Sequence, residues 1–518
     1  MRLGLCTTPA CFMSCITPGA SRAASDVLVR WSSCGAAPDS HSRRAGHHYD
    51  ASIMLTASHL PWNRNGMKFF TQKGGLGKKD ITALVESAAQ ADSNAASSPP
   101  SLRPSGQVTS VDFLPVYAAQ LVDRIRKGVA HPTHLDQPLR GFHIIVDAGN
   151  GSGGFFASHV LQPLGADTSG SQFLDPDGNF PNHIPNPEDA AAVASASQAV
   201  KAAGADLGIM FDTDVDRSAI IDSRGAAINR NRLIALLSAI VLRERPGATI
   251  VTDSVTSDGL ATFITGLGGK HFRYRRGYKN VIDKGVELAA QGVDTPLMIE
   301  TSGHGAMAEN RYLDDGAYLA VKVLIEAGRR KLEGNGSIEQ LVVRLFTSHR
   351  RSCIISSSHW APSVIVQATL REPLEEAEFR LPIKSADFKT VGATIIDAFT
   401  AEVRSGAIKN WTVAPDNHEG VRVSIEEANG RRGWVLLRNS LHDPLMVLNV
   451  ESETPGGASA ATHEVYCWLG EVQASVDMAA LDKAYAPGGR WQDSNLDCTL
   501  RLGGGACGDL SESCELKW

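Results

Sequence analysis

Residues 206–222 read DLGIMFDTDVDRSAIID, an apolar run that ends in Asp212, Asp214 and Asp216 and passes through Arg217 into a second apolar run. Carboxylates at i, i+2 and i+4 in an extended or turning loop can aim three hard oxygen ligands at one point, a set suited to Mg²⁺ rather than to a soft metal. Arg217 adds a planar fork that fits a phosphate oxygen. An acidic turn between two strands of a hairpin fits the same spacing. A calcium EF-hand does not: its sixth position needs glycine and holds Arg217, and its twelfth needs a bidentate Glu and holds Ser223.

Four further clusters have chemistry in them. In SIMLTASHLPWNRNGMKFF an apolar strand runs into a turn broken by Pro61, which puts Ser58 at a strand end with His59 and Lys68 close by to neutralise an anion on its hydroxyl. RRGYKN has Gly277 for a tight turn, followed by Lys279. PLMIETSGHGAM delivers Glu300, Ser302 and His304 at alternate positions, a set of acceptor, donor and switchable groups for a polyhydroxylated ligand. VLLRNSLHDP carries Arg438, Asn439 and Ser440 out of a strand into a Pro-terminated loop, and Arg422 on the preceding strand could join them in cradling a phosphate. Taken singly, each also reads as ordinary turn or surface chemistry.

The elements that must position these residues alternate. The segment GFHIIVDAGNGSGGFFASHVLQPLG is a strand, a glycine-rich turn and a helix; PEDAAAVASASQAVKAAG is helical and leads into the strand DLGIMFD. The alternation resumes over residues 230–284, so an α/β chain with parallel-rich sheets is expected. The stretch DNHEGVRVSIEEANGRRGWVLLRNS is two strands around an Asn-Gly turn, which suits a smaller α+β domain. Residues 88–110 read as a polar Ser/Ala/Pro linker, and the tail from about residue 480 as a segment without periodic structure.

A chain of 518 residues with 43% hydrophobic and 20% charged residues is globular in composition, and a formal net charge of −6 excludes a nucleic-acid binder driven by bulk electrostatics. Anion binding must be local. No apolar stretch reaches the roughly 18 to 20 residues of a spanning helix, so no membrane partner is expected. Nine scattered cysteines without a CxxC pair suit a reducing compartment. The first 48 residues hold five arginines against two acids amid Ser, Ala and Gly, the bias of an organelle transit peptide. A soluble intracellular protein of chloroplast or cytoplasm, monomeric or dimeric, is the expectation.

Together, and in this order, the five clusters resemble the α-D-phosphohexomutases, the family of phosphoglucomutase and phosphomannomutase, over roughly residues 3–478. The resemblance implies three related α/β domains plus a C-terminal α+β domain around a central cleft: residues 1–109 with a phosphoserine loop, 110–225 with a metal loop, 226–345 with a sugar-binding loop and 375–478 with a phosphate-binding loop, before a disordered tail at 479–518. It implies that phosphorylated Ser58 exchanges its phosphoryl group with a hexose phosphate through a bisphosphate, interconverting hexose 1-phosphate and hexose 6-phosphate. Mg²⁺ would be held by Asp212, Asp214, Asp216 and phosphorylated Ser58, with glucose 1,6-bisphosphate or its equivalent as activator. Arg217 and Lys68 would offset charge, and either Lys279 or His59 would move the hydroxyl proton. Gly277, Glu300, Ser302 and His304 would read the sugar, and Arg422, Arg438, Asn439 and Ser440 would grip its phosphate.

Several positions depart from the family pattern. Only 57 residues precede Ser58, GLCTTPACFMS resembles the family segment shortly before the serine loop, and residues 20–48 read as an unrelated insertion, so an incomplete first domain with unpaired sheet edges is expected. Leu60 replaces the usual Asn, and Leu441 and His442 stand where the phosphate loop tends to have Asn-Thr. Thr301 replaces the Met or Gln that often marks hexose and glucosamine enzymes. The alternatives to a phosphoglucomutase/phosphomannomutase activity are therefore phosphoglucosamine mutase and a phosphosugar-binding pseudoenzyme with a regulatory role.

Overall fold

The computed structural model describes residues 5–16, 49–95, 109–341, 370–427, 430–440, 443–472, 475–486 and 489–491. The chain divides into two compact units, Met1–Glu372 and Pro373–Trp518.

Among the described residues the first unit contains three sheets. A small antiparallel one is built from β1 (Ala51–Leu55), β2 (Met67–Thr71) and β3 (Gly74–Gly75), with helix α1 (Thr8–Ile16) against one face, where Phe12 stacks on Phe70 with ring centroids 4.8 Å apart. On the other face Ile53, Leu55 and Met67 are exposed. Helix α2 (Lys78–Ala95) follows. It overrides the linker expected from residue 88, because the Ala-rich run through Ala95 has high helix propensity and Pro does not occur until residue 99.

Helix α3 (Leu114–Val129) leads into the second sheet, ordered β4 (Ile144–Asp147), β5 (Leu207–Phe211), β6 (Ser218–Asp222) and β7 (Ala227–Ile228), with α4 (Ala190–Ala203) between β4 and β5. Every residue of β4, β5 and β6 is buried, because both faces are covered: Ile145, Met210 and Ile221 pack with Ala192, Ala196 and Val200 of α4, while Ile144, Ile209 and Ile220 enter the main core. The third sheet runs β11 (Gly305–Met307), β10 (Leu297–Ile299), β8 (Thr249–Thr252) and β9 (Lys270–Arg273). Helices α5 (Arg230–Glu244), α6 (Asp258–Gly266) and α7 (Tyr278–Ala290) surround it, and α8 (Gly316–Glu333) closes the unit.

These sheets are mixed, not uniformly parallel. In the second, only β4 and β5 run parallel, because the short loop over residues 212–217 can join only antiparallel neighbours. In the third, β8 pairs in parallel with β9 and β10, and the turn over residues 300–304 returns the chain as antiparallel β11. The hairpin reading and the ligand reading of the acidic loop thus describe the same turn.

The second unit is one antiparallel sheet ordered β12 (Glu375–Pro382), β16 (Leu445–Ser452), β15 (Arg432–Asn439), β14 (Val421–Glu426) and β13 (Trp411–Val413). Alternate residues such as Ala377, Phe379, Leu381, Val435 and Leu437 join a core with α9 (Phe388–Ser405) and α10 (Gly457–Val472), where Phe399 meets Trp411 and Trp468. The expected structureless tail is corrected at its start. Residues Ala479–Tyr485 form α11, because Leu481 and Ala484 reach this core. Residues 492–518, like the insertion at 20–48 and the pair Leu441 and His442, lie outside the described residues.

Candidate active site

The acidic loop leaves β5 at Phe211 and enters β6 at Ser218. Its three carboxylates are buried, and one oxygen from each of Asp212, Asp214 and Asp216 lies within 4.8 Å of the others. The turn is forced through Val215 at φ +67°, a left-handed conformation that a β-branched residue adopts only under constraint. That constraint comes from α8: the Gly316 amide donates to the Val215 carbonyl at 3.1 Å, and a Cβ on Gly316 would lie 2.4 Å from the Arg217 backbone.

Ser58 reaches the same loop from the end of β1. Its own φ is +54°, and its amide donates to Thr56 Oγ1, a turn that lifts the side chain out of the strand. Ser58 Oγ donates to Asp212 Oδ2 at 3.2 Å and accepts from Arg217 Nη2 at 3.2 Å. The Arg217 guanidinium is fixed by two more partners, Asp212 Oδ2 at 3.0 Å from Nε and Asn186 Oδ1 at 3.0 Å from Nη1. His59 accepts from Arg217 Nη2 through Nδ1 at 2.8 Å. Burial, then the Arg217 charge, pushes its imidazole down to about 4, so His59 is neutral at physiological pH.

Lys68, across from Met54 in the β1–β2 register, extends its ammonium onto Asp214 Oδ2 at 2.8 Å and onto Asp216 Oδ2. Burial alone would lower its affinity for a proton, but Asp216 and Asp214 outweigh that and hold it well above the ordinary lysine value. Asp216 shows the converse balance. Burial would raise it, while Lys68 and His304 hold it below the usual carboxylate range. Asp212 is pushed up to about 8 by burial and by the Asp216 charge.

Glu300, Ser302 and His304 occupy the turn between β10 and β11, which is joined to the acidic loop through a backbone bridge between Arg217 and His304. The Gly277 amide donates to Glu300 Oε1 at 2.5 Å, which joins the Gly277 turn to the Glu300 turn. His304 Nδ1 lies 2.8 Å from Asp314 Oδ2 and 3.7 Å from Asp216 Oδ1, and its ring stacks on Tyr278 at 4.8 Å. Burial opposes its charge, but Asp314 and Asp216 raise it to about 9.

Lys279 lines one cavity with Lys68, Asp216, Tyr278 and Asp314. Lys279 Nζ pairs with Asp283 at 2.8 Å on the first turns of α7. Arg422 in the second unit lies over the Trp434 ring at 3.8 Å, and Trp434 Nε1 donates to Glu451. Asn439 packs against Gly392 of α9, where an added Cβ would lie 1.9 Å from its Oδ1.

Comparison with known proteins agrees with the order of the clusters. Models of the phosphoglucomutase/phosphomannomutase α/β/α domains I, II and III match residues 39–96, 121–225 and 229–347, together more than half of the chain. The chain belongs to this family. As a phosphohexomutase it is an isomerase of carbohydrate metabolism. It is 29% identical over 405 residues to a phosphomannomutase/phosphoglucomutase of Pseudomonas aeruginosa, covering 78% of this chain and 73% of that one. It is 28% identical over 406 residues to a phosphoglucomutase of Neisseria meningitidis, covering 78% and 74%. Its fold matches a phosphoglucomutase/phosphomannomutase family protein of Burkholderia thailandensis with a TM-score of 0.64 at 23% identity, over 92% of this chain and 83% of that one. Among the described residues no helix is long and apolar enough to cross a membrane.

Sequence reasoning missed several residues of this family member's site. Asp314 and Asp315 stand together in RYLDDGAY; Asp315 caps α8 by accepting from the Tyr318 amide, and the acid-acid-glycine start of a helix was the available signal. Thr8 donates through Oγ1 to Asp214, and Asn186 comes from the irregular PNPED stretch, for which periodicity gives no cue.

The buried charges predict how stability changes with pH. The folded state raises His304 from 6.5 to about 9 and Asp212 from 3.8 to about 8, so it binds more protons than the unfolded chain between pH 6.5 and 9. Stability tied to the His304 proton is present below pH 6.5 and is lost as pH rises towards 9, while that tied to the Asp212 proton is lost over a wider range, from pH 3.8 to about 8. The melting temperature of metal-free protein should therefore fall from pH 6.5 to pH 9 by several degrees. Differential scanning fluorimetry in chelator checks this, and a flat or rising profile would count against the arrangement of charges.

Proposed function

We propose that this phosphohexomutase interconverts hexose 1-phosphate and hexose 6-phosphate, with Ser58 in its phosphorylated form as the group donor. The reading rests above all on Ser58 Oγ lying 3.2 Å from both Asp212 and Arg217 at the mouth of the acidic loop. Phosphoryl transfer asks for a fixed donor oxygen and charge neutralisation, and a hydroxyl held between a carboxylate and a fixed guanidinium supports the reading on both counts.

The residues fit Mg²⁺. Asp214 Oδ1 and Asp216 Oδ1 are buried oxygens without a hydrogen-bond partner, and an all-oxygen donor set suits a hard cation. Asp212, Asp214, Asp216 and phosphorylated Ser58 would hold it, and it would supply neutralisation of phosphoryl charge. Arg217 orients the Ser58 oxygen, and Lys68 keeps the acidic loop from repelling an incoming dianion. Glu300, Ser302 and His304 bind sugar hydroxyls. Arg422, Arg438, Asn439 and Ser440 are assigned to the substrate phosphate on the family pattern, and glucose 1,6-bisphosphate is the activator that charges Ser58.

A coupled assay with Mg²⁺, a trace of glucose 1,6-bisphosphate and glucose 1-phosphate should produce glucose 6-phosphate at about 1–10³ s⁻¹, the usual enzymatic range. Folded, Ser58-phosphorylated protein that forms none, with mannose 1-phosphate and glucosamine 1-phosphate inert as well, would turn the reading into that of a phosphosugar-binding protein.

A further inference from the structure

Thr301 is the middle residue of the Glu300–Ser302 turn. Thr301 sits between two sugar-facing residues, yet its side chain points the other way. Its hydroxyl donates to Asp253 Oδ2 at 2.8 Å and its amide to Asp253 Oδ1 at 3.4 Å. Thr301 is 2% exposed and Asp253 0%. The two residues come together because β8 and β10 are parallel neighbours in register, Thr252 opposite Ile299, so the residues that follow them emerge side by side at the C-terminal edge of the sheet.

We propose that Asp253, acting through Thr301, is a positioning residue for the sugar-reading turn of this mutase. The proposal rests on the assignment of Glu300 and Ser302 to the sugar and deepens it. Within the turn Gly303 adopts φ +94°, its amide donates to the Glu300 carbonyl, and the Glu300 amide donates to the His304 carbonyl. Its His304 end is tied to the acidic loop by the Arg217–His304 bridge and to Asp314, which leaves its Thr301 end to be linked to the end of β8. The Thr301–Asp253 pair supplies that link, and it leaves Ser302 Oγ bonded to Glu300 Oε2 at 3.2 Å and the Gly277 amide on Oε1. Thr301 is thereby removed from contact with the ligand, so sugar preference falls to Glu300, Ser302 and the Gly277 turn.

Asp253 has a second effect on the same turn. Glu300 is raised to about 7 by burial first and by the Asp253 charge second, against the lowering effects of His304, Arg276 and the Gly277 amide, with the Ser302 hydroxyl as its remaining neighbour. Burial, with the Asp253 charge added to it, thus holds Glu300 near its midpoint at neutral pH, able to donate to a sugar hydroxyl when protonated and to accept from one when ionised.

Titration calorimetry of glucose 6-phosphate binding to the full chain, at pH values from 6 to 8.5, tests this independently of turnover. Thr301→Val keeps the shape and removes the hydroxyl, and with it the bond that ties the turn to the buried Asp253 carboxylate; it should weaken binding roughly ten-fold. Thr301→Ser should stay within about two-fold of the parent by the same argument. Asp253→Asn should shift the pH midpoint of binding to lower pH, and the phosphate ionisation of the ligand, common to all variants, cancels in the comparison. Parent-like binding by folded Thr301→Val, or an unmoved midpoint in Asp253→Asn, would overturn the proposal. Absence of binding by the parent would overturn it together with the sugar assignment, whereas binding without turnover would sink only the phosphoserine reading.

Discussion

Ser58→Ala should lower mutase turnover by about 10⁴-fold or more, because no other hydroxyl occupies the meeting point of Asp212 and Arg217 among the described residues, and loss of a covalent nucleophile is not made good by its neighbours. The fold should survive. Ser58 is only partly buried, and Arg217 keeps Asp212, Asn186 and His59 as partners when the hydroxyl is gone. The left-handed backbone at this position disfavours any residue but glycine, so alanine adds little strain beyond what serine already bears. A steady-state assay beside a thermal melt separates the two effects. Turnover within ten-fold of the parent would remove Ser58 from the chemistry.

Asp214→Asn should weaken divalent-metal binding by at least about 100-fold and lower turnover to a similar degree, since it deletes one of three hard anionic ligands and second-shell losses alone reach 10- to 100-fold. The Asp214 carboxylate has fewer donors than that of Asp212, which holds Ser58 and the Arg217 amide and guanidinium. It accepts from Thr8 Oγ1 and Lys68 Nζ on one oxygen, while the other has no partner and is the one free to meet a cation. The amide can still accept from Thr8 and Lys68, so the variant tests ligand charge more than packing. Mn²⁺ binding followed by electron paramagnetic resonance gives a readout independent of turnover. Unchanged Mn²⁺ affinity would dismiss the acidic loop as a metal site.

Much of this site was readable in the sequence because its parts sit where local rules are strong. Alternate aspartates at a strand end, a serine after a β-run, and Glu300, Ser302 and His304 after an apolar strand each lie at the C-terminal edge of a strand, where side chains are presented to a ligand. Strand direction was harder. A short loop between β5 and β6 fixes an antiparallel pair, yet the alternation of helices and strands elsewhere in the chain pointed to parallel neighbours. The contributions of Asn186, Asp253 and Thr8 could not be read locally, since each acts on a residue more than 30 positions away. Boundaries failed for an ordinary reason: alanine extends α2 to Ala95, and Leu481 and Ala484 draw α11 onto a core whose presence no local pattern shows.

The most direct test of the central claim is to locate the phosphate. Protein incubated with glucose 1,6-bisphosphate and Mg²⁺, digested and mapped by tandem mass spectrometry, should carry one phosphate on Ser58, and a chase with glucose 6-phosphate should discharge it as fast as the enzyme turns over. A protein that isomerises the sugar phosphate while Ser58 stays unmodified, or whose discharged phosphate maps to another residue, would contradict the account.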